Sequence, residues 1–368
     1  MFNKLLIYLK NFDWIMFTAV LLLICFGLAE IYSVALGRSQ LDLLNFKKQI
    51  IFIIIGVILL FLLAFFDYHS LRIYNKYFYI GGAILLIAVL FLGQTIRGTK
   101  GWFNLYFFNF QPVELIKFIC VLFLAKYFSG VSLKNKTLKN LIISGSGVLL
   151  FVVLVLAQPD FGSAFVLFAL WLAMIILVGF DKKYFLVIFL LLTIIFAGSW
   201  YLVFQDYQKE RVKTFLNPSF NPLNQGYNVS QAIIAVGAGG LIGRGLGFGS
   251  QSQLKFLPEA QTDFIFAVVA EELGFSGVLL ILLFFGIFFY RCLYHLKRVN
   301  NDFGIFFILG SMSLIFIEMF INIGMNLGIL PVVGISLPFL SYGGSGMISS
   351  LMLVGVIESI AIRSKINY

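Results

Sequence analysis

Charge is scarce in this chain, and so are the residues most used for metal chemistry. Asp, Glu, Lys and Arg together make 11% of 368 residues, histidine occurs twice and cysteine three times. Soluble domains carry about a quarter charged residues, so a soluble globular fold is excluded. His69 and His295 both fall in short basic stretches, which argues against histidine-based metal catalysis. Cys25, Cys120 and Cys292 have no paired spacing and read as packing residues, not as a disulfide framework or a thiolate metal site. Only 16 acids are present. That scarcity makes every acid near an apolar run informative, because a carboxylate at membrane depth is costly and is kept for a use.

What the chain has in abundance is apolar surface: 61% of residues are hydrophobic and the mean hydropathy is +1.01. The apolar runs are continuous rather than alternating, which excludes a β-barrel and leaves an all-α polytopic membrane protein. A span needs about 20 apolar residues. About ten are predicted, near 13–33, 48–66, 77–93, 111–128, 140–157, 163–180, 184–204, 263–289, 304–326 and 344–362. Lysines and arginines crowd the short loops on the side of the termini, among them Lys134, Lys136, Lys139, Lys182, Lys183, Arg291, Lys297 and Arg298. Both termini are therefore expected in the cytoplasm. The net charge of +10 is read as this topology signal, not as nucleic-acid binding. No small-residue cleavage site follows Lys10, so the first span is expected to stay in place. The whole chain, 1–368, reads as one integral-membrane domain with a single long extracytoplasmic loop, 205–262, between helices 7 and 8.

Several constellations could carry chemistry. Glu114 and Lys117 are three apart at the start of the fourth span and share a helical face. They form either a buried structural ion pair or one wall of a substrate site. Arg97 lies in the loop before them. Asp160 follows Pro159 in a tight turn and reads first as a helix N-cap. Glu210-Arg211-Val212-Lys213 opens the long loop and reads as an amphipathic segment with cations near lipid phosphates. The glycine-rich run over 237–249 lacks a preceding strand, so nucleotide binding is not read from it; a re-entrant or surface-lying loop with its amides on a lipid headgroup is expected. Asp263 stands where the long loop meets an apolar helix, with Glu259, Gln261 and Glu271 close by in sequence. Pattern alone makes Thr262 or Asp263 a helix cap, and Glu271, eight residues on, either lines the same cavity or holds helix packing. The Gly/Pro-broken stretch over 322–345 permits a re-entrant loop buried in protein.

Taken in order, the segments over 97–102, 111–117, 158–162, 224–229, 257–274 and 337–345 resemble the SEDS family of cell-wall membrane proteins, and its elongation members more than its division members. The resemblance spans nearly the whole chain. It implies a peptidoglycan glycosyltransferase that polymerises lipid II during elongation and cell-shape maintenance. The implied setting is the bacterial cytoplasmic membrane, with the active site facing outside. The implied partners are a class B penicillin-binding transpeptidase and other elongation-complex membrane proteins. The family's essential aspartate matches Asp263, its buried acid and lysine match Glu114 and Lys117, and its loop arginine matches Arg97. Where the family has histidine this chain has Gln261, which removes a titratable neighbour of Asp263.

On that reading Asp263 is the general base, and Arg97, Lys117, Arg211 and Lys213 are the cations available to a departing diphosphate. Glu259, Gln261 and Glu271 are supporting residues. No dedicated metal cage is visible; a divalent cation, Mg or Mn, would be held partly by substrate phosphates. A lipid II flippase and a scaffold for the transpeptidase are the rival readings, because broken helices and intramembrane charges also suit a transporter.

Overall fold

The computed structural model describes residues 2–37, 43–96, 98–105, 108–131, 137–202, 209 and 225–366. Its helices follow the apolar runs. A short amphipathic helix α1 (Phe2–Asn11) precedes α2 (Trp14–Leu36), α3 (Leu44–Phe65), the small α4 (Tyr68–Ile73) and α5 (Asn75–Leu92). Next come α6 (Pro112–Gly130), α7 (Leu138–Leu156), α8 (Phe161–Val178) and α9 (Lys182–Leu202). The C-terminal part holds α10 (Gln225–Gly239), α11 (Ser250–Gln253), α12 (Ile265–Leu296), α13 (Asp302–Asn326) and α14 (Gly344–Ile366). Each predicted span has a helix. Eight of these helices are long and apolar enough to cross a membrane; α6 carries Glu114, Lys117 and Lys126, and α9 opens on Lys182 and Lys183.

Packing follows the rule for helices in lipid, where small residues let backbones approach. Among such pairs, α3 lies close against α14. A methyl group added at Gly355 would stand 2.6 Å from the Leu60 carbonyl oxygen, and one at Gly56 2.5 Å from a Leu351 methyl. Gly27 on α2 does the same for the stretch after α13, where an added Cβ would meet the Leu340 carbonyl at 2.3 Å. That stretch, 327–343, buries Ile335, Leu337, Phe339 and Leu340. Its backbone is held by side chains, as irregular backbone at helix depth requires: Leu337 N–H donates to Ser341 Oγ (2.8 Å), and Gly343 N–H to Gln49 Oε1 (3.2 Å).

Two parts differ from expectation. The loop before α6 forms a small antiparallel sheet, β1 (Gln94–Ile96), β2 (Thr99–Asn104) and β3 (Asn109–Phe110), in that order. The region 205–262 is not all loop. Its α10 runs beside the first turns of α12, burying Ala232 and Ala235, and ends with Gly239 against Ala270. The glycine run after it turns several of its amides onto α12. Arg244 and Gly245 N–H donate to the carbonyls of Glu271 (3.0 Å) and Glu272 (2.8 Å), and Gly247 N–H donates to the Glu272 carboxylate (3.0 Å). The backbone of α12 is interrupted there, at Gly274 (φ 66°, ψ −163°).

His295 also moves. The helix α12 runs to Leu296, so His295 is helical and fully buried, with Nε2 against Asp13 Oδ2; Arg291 Nε donates to the same oxygen (2.7 Å). His69 sits at the surface beside Asp67, as its basic loop suggested.

Candidate active site

The N-terminal ends of α6, α8 and α12 converge with the sheet, the start of α10 and the stretch after α13. Between them lies a cavity of about 760 Å³. Its floor is Glu114 and Lys117 of α6, and its walls include Thr99, Trp102, Asp160, Asn228, Asp263, Ser336 and Tyr342. Asp263 and the Glu114–Lys117 pair, 146 or more residues apart in sequence, thus share one space.

Each acid is placed by local structure. Pro112 begins α6, where a missing N–H costs nothing, and sets Glu114 in the first turn. Lys117 one turn later donates to Glu114 Oε1 (2.7 Å) and across to Glu318 Oε1 on α13 (2.7 Å). The two form a buried ion pair, and its acid faces the cavity. Asp160 caps α8, accepting from Ser163 N–H (3.0 Å), as its position after Pro159 suggested. Burial nevertheless pushes its carboxyl above the usual aspartate range, against the pull of that amide and of Lys117.

Asp263 does not start α12 as a regular N-cap; the helix begins at Ile265 and its N-cap is Phe264, which makes no capping side-chain bond. Asp263 is fixed through its backbone. Asn322 and Asn326 on α13 both donate Nδ2–H to its carbonyl oxygen (3.0 Å each). Asn326 Oδ1 in turn accepts from Ala267 N–H (3.1 Å), and Ser341 Oγ donates to the carbonyl of Thr262 (2.7 Å). With its main chain held on both sides, the Asp263 side chain projects toward Gly334, where an added Cβ would be 3.6 Å from Oδ2.

The supporting residues separate. Gln261 is 7% exposed and turns away from this cavity. Its Nε2 donates to the Ile31 carbonyl (3.2 Å), and its Oε1 accepts from Asn45 (2.8 Å), so it ties the Asp263 segment to α2 and α3. It lines a second cavity of about 430 Å³ with Glu259, Lys255 and Asn45, and Thr262 and Tyr342 form the partition between the two. Glu259 is exposed there and accepts from Thr262 Oγ1 (3.2 Å). Glu271 joins neither cavity. Its buried carboxylate accepts from the amides of Gln251 (2.8 Å) and Ser252 (3.1 Å), so its neighbour is the returning loop and its work is packing. Arg97, Arg211 and Lys213 lie outside the described residues.

Glu318 was missed. It is the acid that completes the lysine's coordination, and its signal was present: Glu318, Asn322 and Asn326 repeat every four residues along one face of an otherwise apolar helix. Among the described residues, the cavity offers three acids, Glu114, Asp160 and Asp263, and one cation, Lys117. No group of three or more His, Cys, Asp or Glu among the described residues is placed to hold a metal ion. The arrangement can therefore accept a proton at Asp263 beside a hydrogen-bonding wall, in a site closed on the helix side and bounded by polar turns.

The architecture is shared with solved structures. A chain of a peptidoglycan synthase complex, described as coordinating polymerization and crosslinking, superposes with a TM-score of 0.82 at 28% identity, covering 96% of this chain and 98% of that one. The rod shape determining protein RodA of Thermus thermophilus superposes with a TM-score of 0.71 at 26% identity, covering 95% and 96%. In sequence, the chain is 35% identical to the peptidoglycan glycosyltransferase MrdB of Escherichia coli K12 over 355 residues, 96% of this chain and 95% of the relative. It is 35% identical to the stage V sporulation protein E of Bacillus subtilis over 362 residues, 96% and 98%. A probable peptidoglycan glycosyltransferase FtsW of Geobacter matches at 33% over 368 residues, 97% and 98%. Residues 13–366 match the family model that joins FtsW, RodA and SpoVE under the description cell cycle protein, and the chain belongs to that family, the SEDS membrane proteins.

Proposed function

We propose that this chain is a peptidoglycan glycosyltransferase that polymerises lipid II into glycan strands during elongation, with Asp263 as its general base. The observation that carries the proposal is the cavity shared by Asp263 and the Glu114–Lys117 wall at one end of the bundle. The acceptor sugar hydroxyl attacks the anomeric carbon of the growing strand. Its proton passes to Asp263, the bond to the diphosphate breaks, and polyprenyl diphosphate leaves. A positioned base of this kind is worth about 10²–10⁴ in rate. Lys117, with Arg97, Arg211 and Lys213, supplies positive charge to the diphosphate. A divalent cation, Mg or Mn, would be held partly by the substrate phosphates and would supply further positive charge to the diphosphate; the proton transfer does not run through it.

The site opens on the extracytoplasmic side, both termini lie in the cytoplasm, and a class B penicillin-binding protein is the partner. The basic loops on the terminal side support that orientation. The likeness to a chain of a peptidoglycan synthase complex supports the partner.

Purified wild type and Asp263→Asn, each with and without the transpeptidase, are incubated with lipid II in detergent. The wild type is expected to make polymer and the variant none. Polymer from the variant at the wild-type rate overturns the assignment.

A further inference from the structure

The second cavity, of about 430 Å³, shares a thin wall with the first. Thr262 and Tyr342 line both, and Tyr342 N–H donates to the Gln261 carbonyl (2.8 Å), so the wall is two chain segments tied to each other. Asp263, the next residue after Thr262, lines the first cavity only. The second cavity is built from strained backbone. Of the four non-glycine residues with left-handed φ among the described residues, Lys255 (61°) and Glu259 (54°) both line it. Such conformations persist only where the surroundings enforce them, and they cluster at ligand sites.

The donors of this cavity are unspent. Lys255 has no hydrogen-bond or ion-pair partner among the described residues. After the left-handed turn at Glu259, the main-chain N–H groups of Ala260 and Gln261 meet no acceptor among the described residues, although both residues are buried. Consecutive amides left open by a turn, beside a lysine, form a concavity that suits an anion. Glu259 is the one acid among the lining residues, and its Oε2 accepts from Thr262 Oγ1 (3.2 Å). The neighbours of Lys255 in sequence, Leu254 and Phe256, are exposed and apolar. A cation between two such side chains belongs where lipid tails give way to phosphates.

We propose that the second cavity holds the diphosphate of the acceptor lipid II, with Lys255 and the amides of Ala260 and Gln261 as its donors, while the first cavity holds the leaving diphosphate of the growing strand. The inference rests on the polymerase reading above. That reaction handles two lipid-linked diphosphates and breaks only one of them away. The departing one needs charge where the bond breaks, and Lys117 lies with Asp263 in the first cavity. The retained one needs only an anchor at headgroup depth. In lipid II the attacking hydroxyl and the diphosphate sit on different sugars of one disaccharide. The hydroxyl can therefore cross the Thr262 wall to Asp263 while the diphosphate stays behind it.

The test uses the full chain in phospholipid-free detergent, with lipid II as the varied substrate. Lys255 is exposed, so Lys255→Gln removes its charge without opening the fold. Its KM for lipid II is expected to rise about tenfold with kcat within about twofold, because a contact made equally before and during reaction changes binding alone. Lys255→Arg should return KM to the wild-type value. An unchanged KM in Lys255→Gln, or a lowered kcat at unchanged KM, overturns the proposal. An ordinary anionic-lipid site would separate wild type from Lys255→Gln only after phosphatidylglycerol is added to the micelles, and that outcome overturns it too. Binding is read apart from turnover on Asp263→Asn. Native mass spectrometry with lipid II is expected to show two molecules per chain, and one when Lys255→Gln is added; a second molecule that Lys255→Gln does not remove overturns the assignment. If Asp263→Asn polymerises at the wild-type rate, the base assignment fails, and the KM of Lys255→Gln still decides the second cavity.

Discussion

Lys117 Nζ on α6 stands 2.7 Å from Glu318 Oε1 on α13 and 2.7 Å from Glu114 Oε1 on its own helix. One ammonium thus bridges two helices and two acids at the base of the cavity. Removing one member of a buried ionic group costs more than removing all of it, because the remainder is left charged and unpaired.

Lys117→Met is accordingly expected to destabilise the protein by about 3–5 kcal/mol. The triple variant that also carries Glu114→Gln and Glu318→Gln should recover most of that loss. Thermal unfolding of the two in detergent checks it. Neither is expected to polymerise lipid II at the wild-type rate, since the cavity loses its described cation. Equal stability of the two variants would show that the acids are not left buried and charged.

Asn322 and Asn326 both donate to the Asp263 carbonyl, and Asn326 Nδ2 also donates to the Asn322 carbonyl (2.8 Å). Groups in one network do not contribute additively. Asn322→Ala and Asn326→Ala are each expected to cost about 1–3 kcal/mol, the penalty of an orphaned buried group. The double variant should cost less than the two together, and polymerisation should fall in all three as the Asp263 segment loosens. A double-variant cycle on unfolding and on initial rate measures both. Strict additivity would mean that each asparagine holds the segment independently.

Asp160 offers a pH test. Burial raises its folded-state pKa above that of the unfolded chain, so its ionisation opposes folding. That penalty is absent below the ordinary aspartate value near 4 and grows as pH rises from there to the raised folded value. Asparagine caps a helix as well as aspartate and carries no charge. Asp160→Asn should therefore match the wild type in thermal midpoint at pH 4 and exceed it at pH 8, the gap opening across that interval. A gap that narrows with rising pH would mean that Lys117 and the Ser163 amide outweigh the burial.

Local chemistry was legible in the sequence and long-range pairing was not. The helices begin and end within a few residues of the apolar runs because lipid thickness fixes their length. Glu114 and Lys117 could be paired from their spacing alone, since i,i+3 residues share a face. Glu318, 201 residues from Lys117, could be paired with it only by the fold. The same limit separated Glu271 from Asp263. Eight residues along a regular helix would place them near one face, but the segment before Ile265 is not helical and the loop 244–253 covers the acid. Gln261 stands where the resemblance expects histidine, and its amide uses both ends to bind α2 and α3, a placement that only the neighbouring elements reveal. The helix α10 was hidden because its glycines and short length resemble a loop; two buried alanines against α12 hold it.

The crossing of the glycine run over α12 gives the last test. Gly274 has φ 66°, and an added Cβ would stand 2.3 Å from the Gly243 nitrogen; Gly243 has φ 85°, and its Cβ would meet the Glu272 carbonyl oxygen at 2.2 Å. Backbone, not a flexible side chain, fills both positions, so neither contact can relax without lifting the loop off the helix. The Gly274 backbone, φ 66° with ψ −163°, alone costs a non-glycine residue about 1–3 kcal/mol, before the clash. Gly286, twelve residues further along α12, has nothing within 4 Å of an added Cβ. Gly286→Ala is expected to stabilise by about 0.5–1 kcal/mol, the ordinary gain in a helix. Gly274→Ala should destabilise by about 2 kcal/mol or more and raise amide exchange over 244–253. Thermal unfolding of the two alanine variants reads the opposite signs. If Gly274→Ala were as stable as Gly286→Ala, the loop would not lie on the helix at this point.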